Sequence, residues 1–470
     1  MTGAVTAALE IRLRTDRERS ILDVESLVGV ALRRNPKRAH LLVSTVLAKH
    51  VPTVPAVALA AGELLGLLVS AALAGSPPRE ARDLGQRFAS LVATLAEDNS
   101  GVDATAIALA HAALAGLRRD IHAATTPHTD VVTLGYAETA TGLGQLVADS
   151  LGSYYLHSTR HAPEGATPFA GFTEEHSHAT DHALLPTDTG WLREHGTVVL
   201  VDDELSTGTT VINTITALQA VVPQRQWVVA SLIDLRSPTD RERFTALEES
   251  LGTRITVVCL AAGSIELPAD VLQRADSFIA AMPVSTPAPA VNGTVLMLDC
   301  TDLAAVRSAR FGTTVPVNAH LAKQIGERIA AALPVPTSDR GILVLGSEEF
   351  IALPMLSAHE LQQRVAPRSV RFSTSTRSPI ATLDEPDYPI AAAIRFRSHD
   401  TTSDGIGDRF AYNLTRAGSR FGSVVFMPEP DTDATLLSAP GGVLDALRAV
   451  SDTVVVVLLN SPASTDGTPA

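Results

Sequence analysis

Lysine is almost missing from this chain of 470 residues: Lys37, Lys49 and Lys323 are the only three, within a total of 37 basic side chains. A Gly-x-x-x-x-Gly-Lys-Ser/Thr phosphate loop needs a lysine directly after a glycine, and none of the three has one, so a nucleotide triphosphatase of that type is excluded. Cysteine is as scarce. Cys259 and Cys300 stand alone inside or at the end of apolar runs, which removes both a disulfide framework and a cysteine metal centre. No apolar run reads as sustained for the thickness of a bilayer, and "MTGAVTAALEIRLRTDRERS" lacks the basic-then-apolar order of a signal segment. The expectation is a soluble, cytoplasmic protein with no membrane partner. A net charge of −14 argues against general nucleic-acid binding, and the chain shows no basic recognition helix, zinc finger or aromatic RNA-binding motif. Positive charge is concentrated at the start, where residues 1–50 hold nine basic and five acidic side chains.

What is present divides along the chain. Residues 1–20 form a polar segment, and 21–125 read mostly as helix, with Ala/Leu-rich stretches at 54–75 and 102–118. From about 130, short β-rich runs ("VVTL", "SYYLH", "TVVLV", "WVVASLIDL", "RITVVCLA") alternate with helical segments, which predicts a parallel sheet with crossover helices. This first domain is bounded at 21–281. The Pro-rich stretch 282–293 reads as a linker, and 294–460 as a second alternating unit with "TVLMLD", "GILVLG", "SVRFST", "AAAIRF", "GSVVFM" and "TVVVVLL" as strands and helices around 317–332 and 441–450. Residues 461–470 read as a disordered tail, and there is no repeat of the solenoid type. The fold class is α/β in both units.

One stretch carries the chemistry. In "TVVLVDDELSTGTTVIN" (197–213) a buried strand ending at Val201 places Asp202 and Asp203 at its carboxyl edge, where open α/β sheets bind ligands. Ser206, Thr207, Gly208, Thr209 and Thr210 then lead into a helix. Gly208 admits a positive φ, and the N–H groups around it converge at a helix N-terminus, which suits a phosphate. Two carboxylates beside a phosphate suit neutral hydroxyls, such as a ribose 2′,3′ pair, or a hydrated Mg2+. An ordinary strand–turn–helix with solvated acids is the bland alternative.

Four apolar residues, two acids and a hydroxyl-rich turn closing on Thr-Gly-x-Thr resemble the signature of the type I phosphoribosyltransferases. The resemblance implies 5-phosphoribosyl 1-pyrophosphate (PRPP) with Mg2+, a nucleobase-like acceptor, a homodimer, and a pyrophosphate loop after an earlier strand. "VVTLGYAETATGLG" (131–144) occupies that place, with Gly135, Glu138 and Thr139 as loop residues, and the acid at Glu138 suggests metal-mediated contact, so Glu138, Asp202 and Asp203 are the metal candidates. Six of fourteen histidines fall in 157–195. In the resemblance this region is a mobile hood loop, which assigns Glu174, Glu175, His176, His178 and His182 to it and Arg160 to the departing pyrophosphate; a zinc site built on His178 and His182 is the competing reading. Phe169, Phe172 or Tyr154 would stack on the acceptor ring, unless they are core aromatics.

Upstream, "RRNPKRAHLLVSTVLAKHVPT" (33–53) resembles the N-terminal segment of an orotate-phosphoribosyltransferase-like branch found in bacterial tellurium-resistance and stress clusters. Ser44, Lys49 and His50 would there approach the pyrophosphate or the acceptor; the alternative is a surface helix with flanking charges. The branch's companion TRSP domain is named for the tetrad present here as Thr376-Arg377-Ser378-Pro379, with "GSEEF" (346–350) and "DRFAYN" (408–413) also in place. Thr376, Arg377 and Ser378 read either as a second anion site or as a structural turn with Arg377 paired to an acid.

Overall fold

The computed structural model describes residues 4–33, 35, 38–76, 79–96, 104–160, 162, 167–172, 182–188, 190–282, 291–314, 316, 319–335, 338–399, 407–416 and 418–462. Val198–Val201 and Trp227–Ile233 are buried throughout, the pattern of strands covered by helices on both faces. They lie in a six-stranded sheet ordered Arg12–Thr15, Arg254–Glu266, Gln226–Asp234, Thr197–Leu205, Val132–Gly135, Tyr154–His157, parallel except for the first strand. The strand bearing the acid pair runs past Val201 to Leu205, because it keeps pairing with its neighbour as far as Leu205 opposite Asp234.

A second, five-stranded parallel sheet is ordered Thr294–Asp299, Thr453–Leu458, Ser423–Met427, Ile342–Gly346, Val370–Thr374. The expected strand around 391–396 does not join it. Ala393–Arg397 pairs antiparallel with Asp408–Tyr412 in a separate ribbon, since a segment exposing Arg395 and Arg397 and burying Phe396 cannot sit in a sheet covered on both faces.

Residues 21–54 also depart from the helical expectation. Among the described residues only Val24–Leu27 is helical there, and Val28–Leu32 pairs antiparallel with His40–Ser44. The β-branched Val28, Val30 and Val43 favour strands, and Pro36 between them is excluded from a helix interior. The helices are Pro55–Leu73, Ala81–Ala96 and Ala104–Ala124.

Pro55–Leu73 corrects the reading of the apolar runs. It is long and apolar enough to cross a membrane, yet most of it is buried. Its neighbours explain the composition: strands 226–234 and 254–266 of the first sheet, helices 81–96, 104–124 and 141–151, and helix Ala352–Val365 and strand 370–374 of the second unit. A helix enclosed on all sides is apolar all round. Ala48, Ala58, Leu59 and Leu146 share one core with Leu321, Ile325, Ile342, Met355 and Phe372, so apolar packing is continuous across the 282–293 boundary.

Candidate active site

The carboxyl ends of the two sheets face each other, and the charged residues at those ends interlock. In the first sheet the strand order reverses between Val132–Gly135 and Thr197–Leu205, the point at which such sheets bind ligands. Asp202 and Asp203 stand there, half-buried, with the Asp203 N–H donating to Asp202 Oδ1 at 2.9 Å. Burial, reinforced by Glu204, pushes the Asp203 carboxyl above the usual range. Arg38, from the N-terminal hairpin, reaches over to Glu204 Oε1 at 2.5 Å.

Gly208 caps the helix Thr209–Val221 with φ 74°. A Cβ placed on it would stand 2.5 Å from the Phe244 ring, over which the Arg236 guanidinium lies at 4.2 Å. Arg236 in turn holds the buried Asp234 through two bonds of 2.9 Å, and Arg19 adds a third at 2.6 Å. Burial opposes ionisation of Asp234, but these arginine contacts outweigh it and keep its carboxyl below the usual range. Within the cradle, Thr207 Oγ1 accepts the Thr209 N–H at 3.3 Å and lies 3.0 Å from Thr209 Oγ1, which also accepts from Arg243 at 3.2 Å. Thr209 and Thr210 open the helix, where first-turn N–H groups lack intrahelical acceptors. Ser206 is half-buried at the cradle's entrance.

Across from the cradle lies the loop after Gly135. The Ala137–Glu138 peptide is cis. The buried Glu138 carboxylate accepts from Lys49 Nζ at 3.1 Å and from Thr376 Oγ1 at 3.2 Å, while Lys49 also donates to Thr139 Oγ1 at 2.8 Å. Burial opposes the charge on Glu138, yet Lys49, Arg160 and Arg377 hold its carboxyl below the usual range. Lys49 is therefore at the loop, but buried, and not part of a surface helix. His50 beside it packs edge-on to Tyr412, ring centroids 5.9 Å apart, and burial with nearby Lys49 lowers its pKa to about 3. Ser44 stands apart from both, accepting the Val46 and Leu47 N–H groups at 3.2 and 3.1 Å.

Arg160 and His182 are joined to the same loop. Ser158 Oγ accepts the Ala137 N–H at 3.0 Å and lies 2.9 Å from His182 Nδ1, whose Nε2 is 3.3 Å from Arg160 Nη2. His182 is buried in the short strand His182–Leu184. Glu174, Glu175, His176 and His178 lie outside the described residues, and among those described no cluster of three metal-ligating side chains occurs. Phe169 stands edge-on to Trp191 at 5.2 Å and Tyr154 is 6.3 Å from it, an aromatic cluster at the rim of the core.

Arg377 donates to Glu348 Oε2 at 2.9 Å and is 3.6 Å from Glu138 Oε1, and Arg409 donates to Glu348 Oε1. Thr376 and Arg377 thus face the loop of the first sheet, and Ser378 donates its N–H to Thr376 Oγ1 at 3.2 Å. Sequence reasoning missed Arg38, Asp234 and Arg236, which read as ordinary flanking charges, and Glu349, whose only signal was its place in "GSEEF" at a strand end.

A family model described as "Phosphoribosyl transferase" matches residues 27–264, and one described as "TRSP domain C terminus to PRTase_2" matches 307–447. No curated protein matches the chain. Similar solved structures include adenine phosphoribosyltransferase from Rhodothermus marinus, at 18% identity over 28% of this chain and 69% of that one, with a TM-score of 0.21. The Trypanosoma brucei enzyme with AMP, pyrophosphate and ribose-5-phosphate gives 17%, 33%, 68% and 0.23. The Giardia lamblia enzyme with 9-deazaadenine gives 24%, 32%, 80% and 0.21.

Proposed function

We propose that this chain, which belongs to the phosphoribosyltransferase family and carries a TRSP domain behind the transferase domain, moves a 5-phosphoribosyl group from magnesium-bound PRPP to a nucleobase-like acceptor. The C1–O bond to pyrophosphate breaks with its electron pair leaving on the pyrophosphate. A bond from C1 to the acceptor nitrogen forms, and the nitrogen gives up its proton. The observation that carries the reading is the cradle itself: Gly208 at φ 74° between an acid pair and a helix N-terminus, at the reversal point of the sheet.

In this reading Ser206 to Thr210 bind the 5-phosphate through N–H and hydroxyl donors. Asp202 and Asp203 orient the ribose diol. Two adjacent carboxylates at the strand end also supply hard oxygen donors, so together with substrate oxygens they would hold magnesium. Magnesium, when bound, would neutralise charge on the pyrophosphate. Glu138 is engaged by Lys49 and Thr376, and its part is to fix Lys49 beside the leaving group rather than to take the metal alone. Arg160, tied through His182 and Ser158 to Ala137, places a guanidinium at the same loop. Little covalent chemistry is asked of the protein; position and preorganised charge supply the rate.

Titration calorimetry with PRPP, with and without magnesium, tests this. Magnesium-dependent binding weakened about a hundredfold or more in the D202A/D203A variant is expected, since charged hydrogen bonds are worth about 1.5–3 kcal/mol each. Binding unchanged in that variant overturns the assignment. Binding with no pyrophosphate release against any base would instead make the chain a PRPP sensor.

A further inference from the structure

The two sheets are wound alike. In the first, a strand ending at Gly135 is followed by a helix and a strand on one side, then a short antiparallel ribbon, then three strands on the other side, Thr197–Leu205, Gln226–Asp234 and Arg254–Glu266. In the second, the strand ending at Gly346 is followed in the same order by a helix, Val370–Thr374, the ribbon of Ala393–Arg397 with Asp408–Tyr412, and then Ser423–Met427 and Thr453–Leu458; the third place on that side is taken by Thr294–Asp299, which comes earlier in the chain. The registers agree as well. Gly135 stands opposite His157 and Val201, and Gly346 opposite Thr374 and Met427.

Equating the two glycines aligns the chemistry residue by residue. Ser158-Thr159-Arg160 falls on Ser375-Thr376-Arg377, and Ala137-Glu138 on Glu348-Glu349. The Ser158 N–H donates to Gly135 O at 2.9 Å, and the Ser375 N–H to Gly346 O at 3.1 Å. Ser158 Oγ accepts the Ala137 N–H at 3.0 Å, and Ser375 Oγ the Glu348 N–H at 3.2 Å. Between the halves the contacts are reciprocal: Thr159 Oγ1 donates to Glu349 Oε2 at 2.7 Å, and Thr376 Oγ1 to Glu138 Oε2 at 3.2 Å. Lys49 meets Glu138 at 3.1 Å, and Arg310 meets Glu349 at 3.9 Å. Each sheet's outer strand is closed by the other half too, Tyr155 pairing with Thr313 and Phe372 with Thr53, both antiparallel. In a true dimer such mutual contacts mark an isologous, twofold interface.

The copies are not equivalent at the cradle. Where the first half passes from strand to helix through Gly208 at φ 74°, the second first forms the one-turn helix Ala434–Leu437, capped by Asp433 whose carboxylate accepts the Thr435 N–H at 2.8 Å, and its longer helix Val443–Val450 starts from Gly442 at φ −80°. Opposite Gly346, Met427 is followed by Pro428 and Glu429 in place of Asp202 and Asp203. Neither start repeats the left-handed glycine between an acid pair and a long helix that forms the first half's cradle.

We infer that the C-terminal unit is a second, cradle-less copy of the transferase fold, and that Thr376 and Arg377 are positioning residues for the first half's pyrophosphate loop, as Thr159 and the Arg160 N–H hold Glu349 in the mirrored contact. Arg160 N donates to Glu349 Oε1 at 3.0 Å. By sharing Glu138 with Lys49, Thr376 and Arg377 leave the ammonium directed at Thr139 and the leaving group. The substrate assignment here rests on the proposed function; the coupling between loops does not.

Two measurements on the full chain separate these. Without ligand, hydrogen exchange in T376A rises in the 135–141 loop, and in T159A it rises in 346–352. With PRPP and magnesium, T376A raises KM and Kd roughly tenfold with a smaller change in kcat, and T376S restores both to within about threefold, as for loss and return of one charge-assisted bond. Unchanged exchange at both loops overturns the inference, as does PRPP affinity in T376A equal to that of the parent. If the exchange responds but the parent does not bind PRPP, the coupling is supported and the substrate reading fails.

Discussion

Gly208 is the residue at which backbone geometry and ligand chemistry meet. An alanine there adopts left-handed backbone at a cost of about 1–2 kcal/mol. Its Cβ also has nowhere to go: the Phe244 ring 2.5 Å away is backed by Arg236, which is pinned to buried Asp234. G208A is therefore expected to lower Tm and weaken PRPP binding at least tenfold, measured by calorimetry; a variant with parental affinity would show that the cradle is not the phosphate site. The turn at Gly208 was legible in sequence, because a glycine among hydroxyl residues ahead of a helical run admits the positive φ found there. The clamp of Asp234, Arg236 and Phe244 behind it was not, since nothing local distinguishes an arginine that folds back beneath a loop from one that faces water.

At the scale of elements, the helix Pro55–Leu73 shows what an apolar run alone leaves open. Its existence was plain, but its neighbours on both sides were not, because they come from opposite ends of the chain. Gly62 and Gly66 let it approach helix Thr141–Leu151 closely; a Cβ on Gly62 would lie 2.5 Å from Leu146 Cδ1, and one on Gly66 2.6 Å from Ser150 Cβ. Alanine is favoured over glycine in a helix by about 1 kcal/mol, while overpacking costs about 1–3 kcal/mol, so the clash wins. G62A should destabilise the protein in chemical denaturation, and L146A in the same background should recover part of the loss. Stabilisation by G62A alone would mean the helices are free to separate. The hairpin of 28–44 was misread as helix for a related reason: a short apolar run is ambiguous until a pairing partner is known.

For the whole molecule, the paired architecture left little trace in the sequence, where Ser-Thr-Arg and a strand-ending Leu-Gly are the clearest shared marks. A shared strand order and register constrain few individual side chains, so the likeness becomes visible through register and reciprocal contacts. The shared core predicts that the two halves unfold together. Acid should act on both at once. Burial lowers His40 and His50 to about 3 and His359 to about 4, with Arg38, Lys49 and Arg118 adding repulsion respectively. Below their ordinary value of 6.5 the unfolded chain binds protons that the folded chain refuses, so stability is lost as pH falls from 6.5 toward those lowered values. At pH 5 each contributes up to about 2 kcal/mol of loss. His122 has the opposite sign, its pKa raised by hydrogen bonding to Glu63, but it is half-exposed and its contribution is screened. Calorimetry between pH 7 and pH 5 should therefore show one transition, its Tm falling by on the order of 5 °C or more. Two transitions, or a single one that does not move, would mean that the halves are energetically independent or that these histidines reach water.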